Sequence, residues 1–215
     1  MSSHVRGERE LFVTNALVMP PRLPGRKPIR SRTPAAGAGD GCPRGRCGML
    51  FGVRVRRATA QDAEAIVQIL AEVAEEGLIA TEPPVDVPGR TERLRTMLAS
   101  EGPSGSWILE DGRQIVGCAS AYETLPGVLS LGMAILPEAR GRGGGRMLLA
   151  AVLAHAAECE AHKVDLEVWP DNARAIALYV AAGFSVEGLR RDHYRRRDGS
   201  LRSALLMARH VDRLP

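Results

Sequence analysis

From residue 53 onward, hydrophobic and polar residues alternate with two distinct periodicities, one typical of strands and one typical of helices. The segment Val53-Arg-Val-Arg-Arg alternates residue by residue, which is typical of a half-buried strand. Thr59 and Asp62 have the spacing of a capping box, and apolar residues follow them at helical intervals. The apolar positions of this predicted helix are Ile66, Ile69, Leu70 and Val73. The pattern therefore predicts a strand and then a helix at the start of a folded unit.

The rest of the chain continues first with a hairpin and then with alternating strands and helices. Asp111-Gly112 is a hairpin signal between predicted strands at 106–110 and 114–122. The other predicted elements are a loop at 82–88, helices at 91–100, 145–160 and 172–182, and strands at 128–136, 163–169, 184–187 and 201–208. This order favours an α/β fold of the α+β type, a single domain in which helices flank a mixed, mostly antiparallel sheet.

Charge and composition set residues 1–50 apart from the remainder. The segment is rich in proline and glycine, and its nine basic and three acidic residues give a net charge of +6. Residues 51–215 carry 20 basic and 22 acidic residues, a net charge of −2, so the overall charge of +4 comes from the tail. Such a tail buries too little apolar surface to offset the entropy lost on ordering. We expect a disordered basic tail at 1–50, with Met49 as an alternative start of translation, and a folded domain at 51–215.

Several classes of partner are not expected from this sequence. No apolar run approaches the roughly 20 residues that a membrane-spanning helix needs, so no membrane partner is predicted. Cys42 and Cys47 have no second pair of ligands after them, and no metal is predicted. The folded domain has no basic excess, so nucleic acid would bind only through the tail. These observations favour a cytoplasmic protein.

A glycine-rich turn joins the strand that ends at Pro137 to the following long helix. Its glycines are Gly141, Gly143, Gly144 and Gly145, and its basic residues are Arg140, Arg142 and Arg146. Glycines allow close approach to a ligand, and the first amides of a helix have no intrahelical acceptor. Together with the helix dipole, these amides predict a site for an anion such as a pyrophosphate. Arg146-Met147 stands where a P-loop requires Lys-Ser/Thr, which disfavours ATP hydrolysis.

From residue 53 to residue 209 the chain resembles the GCN5-related N-acetyltransferases, the GNAT family. The segment Met133 to Gly145, with its pattern Arg140-x-x-Gly143-x-Gly145, is similar to the family's loop for the pyrophosphate of acyl-CoA. The second matching segment runs from Leu166-Glu-Val168 through Asn172 and Tyr179 to Gly183-Phe184. The resemblance implies an acetyltransferase that uses acetyl-CoA as its co-substrate.

The resemblance also implies roles for individual residues. The cofactor-binding residues would be Met133, Ala134, Ile135, Asn172 and the loop residues 140–146, with main-chain groups of 133–135 facing the pantetheine arm. Asn172 and Tyr179 are seven residues apart, so they share one face of a helix. Tyr179 would protonate or hydrogen-bond the leaving thiolate.

The general base is less clearly marked. Glu167 lies between two apolar residues of a predicted strand, so its side chain lies on the opposite face to theirs. In some N-terminal acetyltransferases of the family, a glutamate matching this position is implicated as the base. Many members carry a glutamate on the fourth strand instead, where this chain has Ser130-Leu-Gly-Met. Glu167 is therefore the predicted base. Glu82 and Glu123 are alternative bases. It also stays open that Glu167 is only a solvent-facing residue of the strand.

The resemblance implies transfer of an acetyl group from acetyl-CoA to a primary amine by direct attack. The acceptor would be an amino acid, a small amine or a protein N-terminus, since the segment from Gly188 to Met207 resembles the branch that acts on amino acids or ribosomal-protein N-termini. A non-catalytic acyl-CoA-binding regulator on the same fold is the alternative. Dimers are common in the family, so a second copy of this chain is a candidate partner.

Overall fold

The computed structural model describes residues 52–100 and 102–211, and the predicted tail at 1–50 lies outside the described residues. Within these ranges the elements are β1 (Val53–Arg57), α1 (Ala63–Glu75), α2 (Val87–Leu98), β2 (Gly105–Asp111), β3 (Gln114–Leu125), β4 (Val128–Ile135), α3 (Gly144–Glu158), β5 (Lys163–Val168), α4 (Ala173–Ala181), β6 (Ser185–Arg195) and β7 (Leu201–His210). Each strand and helix predicted from the described part of the sequence is present.

The strands form one sheet in the order β1-β2-β3-β4-β5-β7-β6. Neighbouring strands β4 and β5 run parallel, and the other described neighbours pair in antiparallel fashion. Helix α3 connects the parallel pair, because parallel neighbours need a crossover connection. The predicted fold class, a mostly antiparallel sheet flanked by helices, is confirmed.

Helices cover both faces of the sheet, which gives the domain two apolar layers. Ile108 and Leu109 are consecutive in β2 and are both fully buried, because successive strand residues point to opposite faces. Ile108 packs in a cluster with Ile66 of α1 and Leu94 of α2. Leu109 packs in a second cluster with Leu148 of α3. Burial on both faces explains why β2 is apolar at adjacent positions rather than strictly alternating.

The entry into α1 has the predicted capping box. The amide of Thr59 donates to the Asp62 carboxylate at 2.7 Å, and the Thr59 hydroxyl donates to the same oxygen at 2.9 Å. Arg56 of β1 adds two further hydrogen bonds to this carboxylate, at 2.8 and 2.7 Å. The charge of Arg56 and these donors lower the pKa of Asp62 to about 2. The capping carboxylate therefore ties the first strand to the first helix.

Helix α2 begins earlier than the sequence predicted. The prediction placed Pro88 in a loop and began the helix at Thr91, whereas the helix runs from Val87. The carboxylate of Asp86 accepts the Gly89 amide at 3.0 Å and caps the helix. Pro88 lies in the first turn, where a missing amide has no cost because that amide has no intrahelical acceptor.

Strand β6 is much longer than predicted. The prediction ended it at Glu187, and the strand extends to Arg195. It lies at the edge of the sheet and pairs with β7 alone, so most of its side chains remain exposed. Such a strand needs no apolar alternation, which is why the pattern did not predict its arginine-rich second half as a strand. Among its residues Tyr194 is buried.

Candidate active site

A gap opens between β4 and β5 in the middle of the sheet. The two strands pair at Val128 with Lys163, Leu129 with Val164 and Ser130 with Asp165, and the described pairing ends there. Beyond that point β4 continues to Ile135 alongside β3, while β5 continues to Val168 alongside β7. The main-chain edges of β4 and β5 are therefore available to a ligand along this stretch.

The ladder between β3 and β4 decides which main-chain groups face the gap. The Leu136 amide donates to the Val116 carbonyl at 2.9 Å, so position 136 points its main chain toward β3. Since these directions alternate in an antiparallel pair, Ala134 also directs its main chain toward β3, opposite Cys118. Met133 and Ile135 direct theirs into the gap. All three residues were predicted to offer main-chain groups to the pantetheine arm, but the main chain of Ala134 pairs with β3 and does not face the gap.

The glycine-rich turn lies at the end of β4 and opens α3. In the part of the chain that the structure describes, no oxygen accepts a hydrogen bond from the amides of Gly143, Gly144 or Gly145. The next two amides already donate to the Gly143 carbonyl, at 3.0 and 3.2 Å. Gly143 has φ 85°, and a Cβ there would meet no atom within 4 Å. A Cβ on Gly144 would lie 2.3 Å from Leu109 Cδ2, so glycine lets α3 pack onto β2.

The arginines of the turn differ in their surroundings. Arg140 Nε donates to the Ile135 carbonyl at 2.8 Å, and its guanidinium pairs with Glu76 at the end of α1 at 2.5 Å. Arg140 lowers the pKa of Glu76. Arg142 pairs with Asp111 at 2.6 Å and remains half exposed. Arg146 is exposed. Arg140 therefore braces the turn against α1 and occupies the Ile135 carbonyl, while Arg142 and Arg146 lie at the surface of the turn.

A cleft that is partly open to solvent runs through the gap. Its lining brings together five of the predicted residues: Met133, Ala134, Glu167, Asn172 and Tyr179. The loop between α1 and α2 covers one side through Leu78, Ile79 and Ala80. Trp169 at the end of β5 holds this loop, because its indole donates to the Gly77 carbonyl at 3.1 Å. The cleft therefore joins the two faces of the sheet.

Tyr179 and Asn172 both belong to the α4 segment. Asn172 caps the helix, since its side-chain oxygen accepts the Ala175 amide at 3.2 Å. Tyr179 lies two turns further and is 7% exposed. Burial raises the pKa of the Tyr179 phenol to about 12, and its ring contacts that of Phe184. The phenol is therefore neutral over the physiological pH range and is available as a hydrogen-bond donor.

Glu167 is held on the opposite face of the sheet from Leu166 and Val168, as strand alternation predicted. Arg190 of β6 donates to its Oε1 at 2.5 Å, and the Tyr194 hydroxyl donates to Oε2. Burial raises the pKa of Tyr194, and the hydrogen bond to the Glu167 carboxylate raises it further. Two donors from β6 thus fix the direction of the Glu167 carboxylate.

Arg190 and Tyr194 are site residues that the sequence did not single out for this role. They lie 23 and 27 residues from Glu167, and no local pattern connects them. A register irregularity between Arg190 and Tyr194, with Asp192 at φ 48°, turns Tyr194 toward Trp169. Their rings meet edge to face at 5.0 Å.

The alternative bases have other partners. Glu82 pairs with Arg196 at 2.9 Å, and Glu123 accepts the Gly127 amide at 2.9 Å. Cys118 lines the cleft, but burial raises the pKa of its thiol to about 12, which disfavours a cysteine nucleophile.

Two features are absent from residues 52–100 and 102–211. No three His, Cys, Asp or Glu side chains are grouped so that they could hold a metal ion. No helix in these ranges is both long and apolar enough to cross a membrane.

Comparison with known proteins identifies a family and a set of similar structures. The profile of the acetyltransferase (GNAT) family matches residues 68–184, which is more than half of the chain. A ribosomal-protein-alanine N-acetyltransferase from Brucella melitensis is 27% identical, with a TM-score of 0.66 over 73% of this chain and 99% of that one.

Two other solved structures share the fold at lower identity. A phosphinothricin acetyltransferase from Sinorhizobium meliloti, solved in complex with AcCoA, is 22% identical, with a TM-score of 0.66 over 75% of this chain and 89% of that one. A spermidine N-acetyltransferase from Vibrio cholerae, solved with CoA and spermine, is 20% identical, with a TM-score of 0.64 over 74% and 95% of the two chains.

Proposed function

This chain belongs to the GNAT family of acetyltransferases, and from that premise we propose that it acetylates a primary amine by direct attack on acetyl-CoA bound in the cleft. The observation that carries the proposal is the set of unused amides at Gly143, Gly144 and Gly145, which open α3 beside the β4–β5 gap. Amides in this position, aided by the helix dipole, suit a pyrophosphate. Acetyl-CoA supplies the thioester whose acetyl group is transferred.

The proposed cofactor contacts use hydrogen-bonding groups that contacts within the described part of the protein leave available. The glycine amides bind the pyrophosphate, and Arg142 and Arg146 add positive charge at the surface of the turn. The main chain of Met133 faces the gap and binds the pantetheine arm, while the Ile135 carbonyl stays with Arg140. Asn172 uses its oxygen to cap α4, which leaves its amide NH₂ for the same arm.

Catalysis is divided between the two faces of the sheet. Glu167 accepts a proton from the acceptor amine, directly or through a water, while Arg190 and Tyr194 keep its carboxylate pointed into the cleft. Tyr179 donates a hydrogen bond to the leaving sulfur from the α4 side. Because the base and the donor line one cleft from different elements, the amine and the thioester can meet without a covalent enzyme intermediate.

The free-energy cost of deprotonating the acceptor favours amines of low pKa as substrates. A lysine side chain near pKa 10.4 is deprotonated in only about one molecule in two thousand at pH 7, a cost of about 4–5 kcal/mol. An α-amino group near pKa 7.8 is deprotonated in about one in seven, a cost of only about 1 kcal/mol. A single carboxylate that already accepts two hydrogen bonds suits the second class better.

Titration with coenzyme A and an acceptor screen test the proposal separately. Calorimetry should detect binding of coenzyme A, and mixing with acetyl-CoA and a mixture of amino acids, peptides and polyamines should release free thiol. Mass spectrometry of the products then identifies the acetylated amine. Absence of coenzyme A binding would overturn the cofactor site, and binding without any thiol release would overturn the catalytic assignment.

A further inference from the structure

One buried polar cluster near the cleft is used by none of the steps above. It comprises Tyr122 with the serine pair Ser106 and Ser120 in the sheet, and half-buried Arg90 with Thr81 in the α1–α2 segment, and the charge of Arg90 acts on the Tyr122 phenol. Tyr122 and Ser120 line the cleft. Within this cluster the hydroxyl of Tyr122 has no hydrogen-bond partner among the described residues, and a buried polar group without a partner is costly unless a ligand satisfies it.

The hydroxyl of Tyr122 is the clearest member of the cluster. Tyr122 is 4% exposed, and its hydroxyl has no hydrogen-bond partner in the described ranges. The hydroxyls of Ser106 and Ser120 lie beside the phenol and are bonded to each other at 2.8 Å. Burial raises the pKa of Tyr122, so the phenol is a neutral donor. An acceptor atom of a ligand in the cleft would complete it.

Arg90 supplies a positive charge next to this phenol. Its guanidinium is half-buried and donates to the Thr81 hydroxyl at 3.2 Å, and among the described residues it forms no ion pair. The nearest carboxylate, Asp86, is exposed and caps the Gly89 amide instead. Burial lowers the pKa of Arg90, and the field of Arg93 lowers it further. The next residue, Thr91, is also buried with an unpartnered hydroxyl.

The charges around the cleft exclude a polycationic acceptor. Of the residues that line the cleft in the described part of the chain, Glu167 is the acidic one, and Arg190 already pairs with it. A polyamine would find no second carboxylate in this lining for its remaining ammonium groups, and the charge of Arg90 acts on Tyr122, which lines the cleft. An acceptor with an anionic oxygen group would instead pair with Arg90 and accept from Tyr122.

We infer that the acceptor is a small amine that also carries an anionic oxygen group, such as a carboxylate or a phosphonate, bound by Arg90 and Tyr122. This inference rests on the proposed function. The amine lies toward Glu167 and the anionic group toward the α2 end of the cleft. The two ends of the molecule are thus recognised by groups on different elements, which orients it for attack.

Matched acceptors test the inference. The screen compares amino carboxylates and short peptides with their C-terminal amides, with aminoalkyl phosphonates and with spermidine. We expect anionic acceptors to have a kcat/KM at least about tenfold above that of their amides, since charge-assisted hydrogen bonds are the strong ones. A preferred phosphonate or carboxylate supports the inference and identifies the anion. Preference for spermidine, or equal rates with acids and amides, overturns it.

Variants link the preference to the named residues. The amidation penalty is the ratio of kcat/KM for an acidic acceptor to that for its amide. In Arg90→Met and Tyr122→Phe this ratio should fall by about tenfold through the acceptor KM, with the Kd for coenzyme A unchanged. Arg90→Lys should restore part of the preference. Arg93→Met removes an exposed charge from the same helix and is the matched control. An unchanged amidation penalty in Arg90→Met, with its Tm near that of the parent, overturns the inference.

A binding measurement separates this inference from the proposed function. Calorimetry of the preferred amino carboxylate against the protein saturated with coenzyme A should show binding that Arg90→Met weakens by about tenfold. If thiol is released only with uncharged or cationic amines, the proposed function stands and the anionic acceptor is wrong. If no amine gives thiol and no anionic amine binds, both are wrong.

Discussion

The hydroxyl of Tyr179 provides the sharpest prediction for catalysis. A phenol with a pKa of about 12 is a weaker acid than a coenzyme A thiol near 8.5. Full transfer of its proton to the thiolate would therefore be uphill by about 3.5 pKa units, or about 5 kcal/mol. We expect Tyr179 to act by a hydrogen bond to the developing thiolate rather than by completed proton transfer.

The size of the effect follows from this distinction. Hydrogen bonds to charged groups contribute about 1.5–3 kcal/mol, so Tyr179→Phe should lower kcat by about 10- to 150-fold. Burial alone raises the pKa of Tyr179, with no contribution from a hydrogen bond, so removal of the hydroxyl should leave the free energy of unfolding within about 0.5 kcal/mol of the parent. The KM for acetyl-CoA should stay nearly constant, since the ring and its packing against Phe184 remain.

A thiol-release assay at several pH values, with calorimetry of coenzyme A binding, decides the matter. The phenol remains neutral below pH 10, so its ionisation should cause no decline in kcat between pH 7 and 10. The pH profiles of the parent and of Tyr179→Phe should therefore have the same shape over this range. A loss above about a thousandfold would indicate true proton donation. A loss below threefold would mean that the phenol does not contact the sulfur, and the reasoning would be wrong.

Three further predictions follow from the site and its supports. Glu167→Gln should lower kcat/KM by about 100-fold at pH 7 with the Kd for coenzyme A unchanged, and a loss below threefold would show that Glu167 is not the base. Gly143→Ala should cost about 1–2 kcal/mol in unfolding free energy and weaken coenzyme A binding, because φ is 85° there. Gly199→Ala, with φ 86° in the β6–β7 turn, is its control and should leave that Kd unchanged. Asp62 has its pKa lowered to about 2, so its contribution is present above pH 4 and disappears as the pH falls through 2. Asp62→Asn should therefore lower the free energy of unfolding at pH 7 by about 1–2 kcal/mol, with no difference from the parent near pH 2, and Glu64→Gln on the same helix is the control.

The sequence alone was sufficient to predict the strands and helices and the glycine-rich turn before α3. Periodicity located β1 and α1, and the capping box at Thr59 and Asp62 was visible because its two residues are neighbours in the chain. The glycines of the turn were informative for a similar reason, since the constraint acts on the backbone of each residue. Local chemistry of this kind can be read without knowing the rest of the structure.

Contacts between distant segments could not be predicted in this way. Arg140 pairs with Glu76 across 64 positions, so its basic charge alone suggested a phosphate contact rather than a brace. The two donors to Glu167, Arg190 and Tyr194, lie in the part of edge strand β6 that the sequence pattern did not predict. The proximity of Arg90 to Tyr122 joins two segments that are distant in the chain, and no pattern in either segment encodes it.

The proposed cofactor loop and the gap between β4 and β5 are consequences of one topological feature. Parallel neighbours require a crossover, so placing β5 beside β4 forces α3 to begin where β4 ends. The unused amides at the start of α3 therefore lie at the same end of β4 at which the two strands separate. Because β5 leaves β4 to pair with β7, the gap also admits Glu167 and its β6 partners from the other face. The turn proposed to bind the pyrophosphate and the opening between the faces thus occur together, so a cofactor held at the turn would extend into the gap.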